Sequence, residues 1–181
     1  NKKINAVIIS SPPETHLEII KTAIKKKIHI FCEKPVTKSY KQVIQVTNLL
    51  KNKKLFHIVN YEFPKIAAFK FFKKNILKKI YIKKIQINWT IKISQQKRSS
   101  WKNSHNRGGG IFYNYICHSI YYLEDLFGDF VIEKLNKNRK KNPTTIKIRL
   151  RNIKKNFIIY LNFKILSLKS RQKPIHRIKI F

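Results

Sequence analysis

The 181-residue chain carries 41 Lys plus Arg against 8 Asp plus Glu, a formal charge of +33, and 43% of its residues are hydrophobic. That apolar share suffices for a substantial core in one large or two small domains; no run reaches the ~18 uninterrupted apolar residues of a membrane span and the start lacks the form of a signal peptide, so a soluble cytoplasmic protein with no membrane partner is expected. Cys32 and Cys117 lack metal-type spacing and a disulfide-rich context, which fits a reducing compartment and no metal site.

A charge of this size ordinarily points to nucleic acid or an anionic membrane. Here the excess runs through every segment, from Lys25-Lys26-Lys27 and Lys51-Asn-Lys-Lys54 to Lys83-Lys84 and Lys137-Asn-Arg-Lys-Lys-Asn142. It accompanies abundant Asn, Ile, Phe and Tyr, with 4 Gly and no Met. Lys, Asn, Ile, Phe and Tyr share A/T-rich codons, so base bias explains the pattern more simply than a nucleic-acid groove. No specific nucleic-acid partner is expected, although nonspecific adhesion to polyanions at low salt is.

In chain order, Ile4 to Ser10 reads as a short buried strand ending at Ser11-Pro12-Pro13, which cannot continue a central strand. Thr15 or Ser11 can cap a helix whose apolar positions Leu17, Ile20, Ala23 and Ile24 recur at helical spacing. Ile28, Ile30, Phe31 and Cys32 read as a second strand, buried on both faces and followed by Glu33-Lys34-Pro35. Ligands of open α/β sheets bind beyond the carboxyl ends of the strands, so Glu33 and Lys34 stand at the mouth of a site. Pro35 removes a backbone donor and holds Lys34 extended. The simpler alternative is a strand-to-helix turn with a solvated ion pair.

Ser39 begins a second amphipathic helix with Val43, Ile44, Val46, Thr47, Leu49 and Leu50 on its apolar stripe. Phe56 to Phe63 is a third strand, closed by Pro64, with Tyr61 and Glu62 at its carboxyl end; His57 and Asn60 fit as plain strand residues. Strands alternating with helices predict a parallel sheet covered on both faces.

The period changes in the second half. A helix-like stretch from Ile66 to Ile76 leads out, and then Ile85, Ile87, Trp89, Ile91 and Ile93 alternate with polar residues, as do Ile146, Ile148 and Leu150, and Phe157 through Ile165. These are half-buried strands of a mainly antiparallel sheet. Between them Trp101 and the polar loop Lys102 to Arg107 lead into Gly108-Gly109-Gly110, a flexible approach that lets backbone come close to a ligand. A helix follows from Ile111 to Phe127 and stops at Gly128. Asn114 and His118, four apart, share one helical face. Histidine is suited to proton exchange near neutral pH, although a lone helical histidine also serves in packing. The expected class is therefore α/β plus α+β, with domains at 1–64 and 65–181 and a boundary within 64–80.

The ordered set of Ala6 to Ser11, Pro12-Pro13-Glu14-Thr15-His16, Glu33-Lys34-Pro35, and the glycine run leading to Asn114 and His118 resembles the Gfo/Idh/MocA family of nicotinamide-dependent sugar and cyclitol oxidoreductases. The resemblance implies a C-terminal part of a Rossmann-type sheet followed by an α+β substrate domain, with NAD or NADP as cofactor. It implies Ser11, Pro12, Pro13, His16, Glu33 and Lys34 near the cofactor. Lys34, His118 and Asn114 become the catalytic set. Tyr61, Trp101, Arg107 and Tyr115 join Lys34 and His118 around a polyol or sugar-like substrate, with Trp89 a further candidate for shaping that pocket. Homo-oligomerisation through the open sheet face of the second domain is also implied.

Three positions depart from the family pattern. The family usually carries aspartate four residues before the histidine, glycine two before it and aspartate three after it; this chain has Asn114, Ile116 and Tyr121. Asparagine can orient an imidazole but lacks the charge to stabilise an imidazolium. The glycine-rich strand-to-helix turn that holds a pyrophosphate does not precede Ile4. At roughly 30 residues per βαβ unit, the expectation is a fragment lacking about two upstream units, incomplete at its end as well, and unable alone to bind NAD(P) tightly. The alternatives are a noncatalytic relative keeping the fold as a scaffold, and a basic nucleic-acid-binding module.

Overall fold

The computed structural model describes residues 4–93, 100–138 and 144–181. Part of the basic run at 137–142 lies outside them. The chain forms two compact units, which among the described residues comprise 4–66 with 100–121, and 67–93 with 122–138 and 144–181. Residues 100–121 therefore group with the first unit, although they follow the first strand of the second sheet.

In the first unit, β1 (Ala6–Ile9), β2 (His29–Glu33) and β3 (His57–Asn60) form a parallel sheet in that order. Helices α1 (Pro13–Lys25) and α2 (Tyr40–Leu50) cross between successive strands. One sheet face is dry: Ile9, Ile30 and Cys32 pack with Leu17, Ile20, Ala23, Val46 and Leu50. Burial on both faces, expected of β1 and β2, does not occur. Ile8, Phe31 and Ile58 lie side by side in register on the outer face and are exposed by 74%, 37% and 54%.

The helix starts differ in kind. Ser39 caps α2 as expected, its hydroxyl accepting the Gln42 N–H. No side chain caps α1; Pro12 occupies the cap position, where proline's fixed φ suits a helix entry. Thr15 Oγ1 instead donates to the Pro12 carbonyl and pairs with the Ser11 hydroxyl, so the two expected caps bond each other.

The second unit is a five-stranded mixed sheet ordered β5-β6-β7-β4-β8. Its strands are β4 (Lys84–Ile93), β5 (Phe130–Asn138), β6 (Thr144–Asn152), β7 (Ile158–Ser167) and β8 (Ile175–Ile180). Only β4 and β7 pair in parallel; the other pairings are antiparallel. Ile85, Ile87, Ile146, Ile148, Leu150, Ile159, Leu161 and Phe163 line the buried face. Trp89 belongs to this packing, its ring stacked on His176 at 4.3 Å. On the opposite face Asn162 Nδ2 donates to Asn88 Oδ1 at 3.1 Å, among Lys147, Arg149, Arg151, Lys164, Arg177 and Lys179.

The helical stretch expected at 66–76 is α3 (Ala67–Phe71) continued by a π-helical turn, Phe72–Ile76. The one expected at 111–127 is likewise a π-helical turn, Phe112–Ile116, running into α4 (Cys117–Phe127). Gly128 follows with φ +77°, as a helix stop requires.

Candidate active site

The carboxyl ends of the parallel strands carry the groups that matter. Glu33 and Asn60 are register partners at the ends of β2 and β3. Asn60 Nδ2 donates to Glu33 Oε1 at 2.6 Å, and the Lys34 backbone N–H donates to Glu33 Oε2 at 3.3 Å. Glu33 thus levels two strand ends and shapes the turn after β2. Its expected pairing with Lys34 runs through backbone and not through the ammonium. Lys34 Nζ donates instead to the carbonyl of Asn114 at 2.9 Å. An ammonium has three N–H groups, so this bond does not exhaust it.

His16 lies beneath both turns. Its Nε2 is 2.7 Å from the Ser11 carbonyl, and its Nδ1 is 3.1 Å from the Pro35 carbonyl and 3.4 Å from Cys32 Sγ. Burial, aided by the Glu33 charge, pushes the Cys32 thiol up to about 12. The thiol therefore keeps its hydrogen and can serve as donor. The short Nε2 contact suits an N–H donated to Ser11, and the thiol hydrogen also has the Glu33 carbonyl in reach at 3.3 Å. His16, expected near the cofactor, is 0% exposed, its imidazole lying between the Ser11-Pro12-Pro13 turn and the Lys34-Pro35 turn. Ser11 and Pro12 are half-buried at the α1 entry, and Pro13 is buried.

The glycine run packs against its own chain. A Cβ on Gly108 would meet Pro13 Cβ at 2.9 Å and Lys38 Cα at 3.3 Å, and one on Gly109 would meet the Trp101 carbonyl at 2.0 Å. Only Gly110 faces open space. The expected close approach to a ligand is thus, at Gly108 and Gly109, a close approach to α1 and to the preceding turn. Arg107, expected at the substrate, holds Glu14 with two nitrogens, at 2.6 Å and 2.5 Å. That guanidinium keeps the Glu14 carboxyl below its ordinary range. Trp101 is half-buried and supplies the carbonyl under Gly109.

His118 is buried to 7% exposure at the start of α4, beside Phe63 at 5.2 Å and the edge of Tyr61 at 6.0 Å. Tyr61 stacks in turn on Tyr121 at 4.2 Å, so the residue that departs from the family pattern shores up the wall beside the histidine. Tyr115 is half-buried on the π-helical turn. The Asn114 amide, expected to orient His118, donates to the Lys102 carbonyl at 2.9 Å.

Lys34 therefore sits against the helical turn that precedes His118. Glu14, Asn60 and Tyr121 complete the arrangement and escaped the reading of the sequence. Glu14 was read only as part of the Pro12-Pro13-Glu14-Thr15-His16 stretch, and Asn60 as a plain strand residue. Its place at a strand's carboxyl end was the available signal.

An ammonium, a carboxylate braced by an amide, and a proline turn at a helix entry thus stand at the carboxyl ends of β1 and β2. Among the described residues no glycine turn links a strand end to a helix start, so no pyrophosphate cradle belongs to the set.

Comparison with known proteins agrees with this layout. The chain is 30% identical over 134 residues to the 2,7-anhydro-N-acetylneuraminate hydratase of Escherichia coli K12, covering 71% of this chain and 35% of that protein. An uncharacterised oxidoreductase of Synechocystis is 28% identical over 132 residues, 71% of this chain and 36% of that protein. The chain thus spans about a third of the length of these curated relatives. Levoglucosan dehydrogenase in complex with NADH and levoglucosan superposes with TM-score 0.82 at 19% identity, over 99% of this chain and 53% of that one. The WlbA dehydrogenase of Bordetella pertussis in complex with NADH and UDP-GlcNAcA gives 0.81 at 16% identity, over 99% and 55%. Residues 1–61 match the oxidoreductase family with an NAD-binding Rossmann fold and residues 72–178 its C-terminal α/β domain, so the chain belongs to the Gfo/Idh/MocA oxidoreductase family.

Proposed function

We propose that the polypeptide carrying these residues is an NAD(P)-dependent dehydrogenase or reductase acting on the secondary alcohol or carbonyl of a sugar, cyclitol or related small molecule. The observation that carries this reading is the 2.9 Å bond from Lys34 Nζ to the Asn114 carbonyl, which brings an ammonium to the turn preceding His118. Oxidation of an alcohol needs a hydride acceptor, which side chains lack and a bound nicotinamide supplies. His118 takes the hydroxyl proton. Lys34 donates an N–H to the oxygen as its charge develops. Ser11, Pro12, Pro13 and Glu33 hold the nicotinamide end, and Tyr61, Trp101 and Tyr115 border the substrate. Assembly of copies through the polar sheet face, and a place in the cytoplasm, belong to the same reading. No described helix is long and apolar enough to cross a membrane.

Glu33, Asn60, Lys34 and His118 together favour this reading over a scaffold that merely keeps the fold. The test is a panel of sugars and cyclitols incubated with NAD and NADP, read as reduced nicotinamide formed. Turnover with at least one polyol is expected. Silence across the panel with both cofactors removes the proposal.

A further inference from the structure

Asn114 spends three polar groups at one junction. Its backbone N–H donates to the Gly110 carbonyl at 2.9 Å and its backbone carbonyl accepts from Lys34 Nζ at 2.9 Å. Its side-chain amide donates to the Lys102 carbonyl, which also accepts the Gly110 N–H at 2.8 Å. A carbonyl oxygen has two lone pairs, so Lys102 is saturated by these two donors. The loop between them is thereby closed into a ring. Its far side is fastened independently, by Arg107 on Glu14 and by Gly108 against Pro13 and Lys38.

The family's aspartate could not make this closure. A carboxylate has no hydrogen to give, and placing its oxygen within hydrogen-bond distance of a carbonyl oxygen sets two acceptors against each other. We propose that Asn114 is a positioning residue that closes the Lys102–Gly110 loop through its amide while its carbonyl seats Lys34, so that asparagine serves here in a role aspartate cannot fill. The consequence for turnover rests on the oxidoreductase reading; the closure of the loop does not.

Two opposite expectations follow for Asn114→Asp. If the position were a weakened version of the family's acid, restoring aspartate would raise turnover. If the amide closes the loop, aspartate opens it and the turn whose backbone carbonyl seats Lys34 loses its anchor. The amide exchange of Gly110 reads the closure directly, because its N–H donates to the same Lys102 carbonyl.

The experiment compares wild type, Asn114→Asp and Asn114→Ala in the polypeptide carrying these residues, measuring the protection of the Gly110 amide near pH 7 and below about pH 4, where an aspartic acid regains a hydrogen to donate. Both variants are expected to lose roughly tenfold in protection at neutral pH. Relative to wild type at the same pH, protection returns in acid for Asn114→Asp alone, a signature that general destabilisation does not produce. Turnover of Asn114→Asp falls with kcat more than with KM. Wild-type protection in Asn114→Ala overturns the proposal, even should Asn114→Asp fail to fold. So does a rise in turnover for Asn114→Asp. A protein with no turnover at all that still shows the acid-restored protection overturns the oxidoreductase reading and leaves the loop closure standing.

Discussion

Lys34 Nζ donates to the carbonyl of Asn114 across 80 residues of sequence, joining the turn after β2 to the helical turn that precedes His118. This bond makes one site of two motifs that lie in different halves of the chain. Its surroundings are built from short-range devices, each open to a separate test.

The first device is steric. Gly109→Ala drives a methyl into the Trp101 carbonyl, with Lys102 backbone atoms at 2.7 Å on the other side. Because backbone must move, a loss of roughly 2–4 kcal/mol is expected. Gly110→Ala meets nothing within 4 Å and is penalised only by its φ of +89°, about 1–2 kcal/mol. Denaturant midpoints of the two variants should rank accordingly, and equal midpoints would refute the packing role of Gly109.

The second is electrostatic. The folded state holds the Glu14 carboxyl below its ordinary range, chiefly through its hydrogen bond with Arg107. A carboxyl depressed on folding stabilises above its unfolded pKa, and that contribution fades as pH falls through the lower folded value. Trypsin cleavage after Arg107 should therefore accelerate in Glu14→Gln at neutral pH. In wild type the loop should loosen only in acid, as measured by hydrogen exchange across 102–110.

The third concerns the thiols. Cys32 is pushed up to about 12, first by burial, and burial raises Cys117 too. Both should resist a thiolate-directed reagent in the folded protein at pH 8 and react on unfolding. The unfolded chain releases its Cys32 proton first, near the ordinary value of 9.0. Stability should consequently decline as pH rises from there toward 12. A Cys32→Ala variant should lose that part of the alkaline decline.

The fourth is the buried imidazole. His16→Ala strips the part-buried Ser11 carbonyl of its donor and empties the space between the Ser11 and Pro35 turns. A cost of about 2–4 kcal/mol is expected in denaturant melts. His16→Gln, whose amide can still donate, should recover part of it.

The sequence made the βαβ units legible because apolar runs ended at prolines, as at Pro12 and Pro35, and because helix stripes such as Leu17, Ile20 and Ala23 kept their period. It misled where an element's environment was not encoded locally. β5 is so exposed, with Lys134 and Lys137 along it, that no alternation survives to announce a strand. Ile8 and Phe31 look like core residues, yet they are 74% and 37% exposed.

The site divides in the same way. Lys34 and His118 stood out because their neighbours punctuate the chain. Arg107 and His16 were placed at ligands by the resemblance alone; their contacts with Glu14 and with the Ser11 and Pro35 carbonyls had no signal in the sequence. Such contacts depend on long-range packing, which local spacing does not reveal.

The central claim is that Lys34 and His118 serve hydride transfer at an alcohol carbon. The most direct measurement follows deuterium from the carbinol carbon of labelled sugars and cyclitols onto nicotinamide, in wild type, Lys34→Ala and His118→Ala. Transfer by the wild type is predicted, with a fall of about a hundredfold or more in each variant and an unaltered circular dichroism spectrum. Transfer at the wild-type rate in both variants would contradict the account, as would its absence in the wild type with every labelled alcohol.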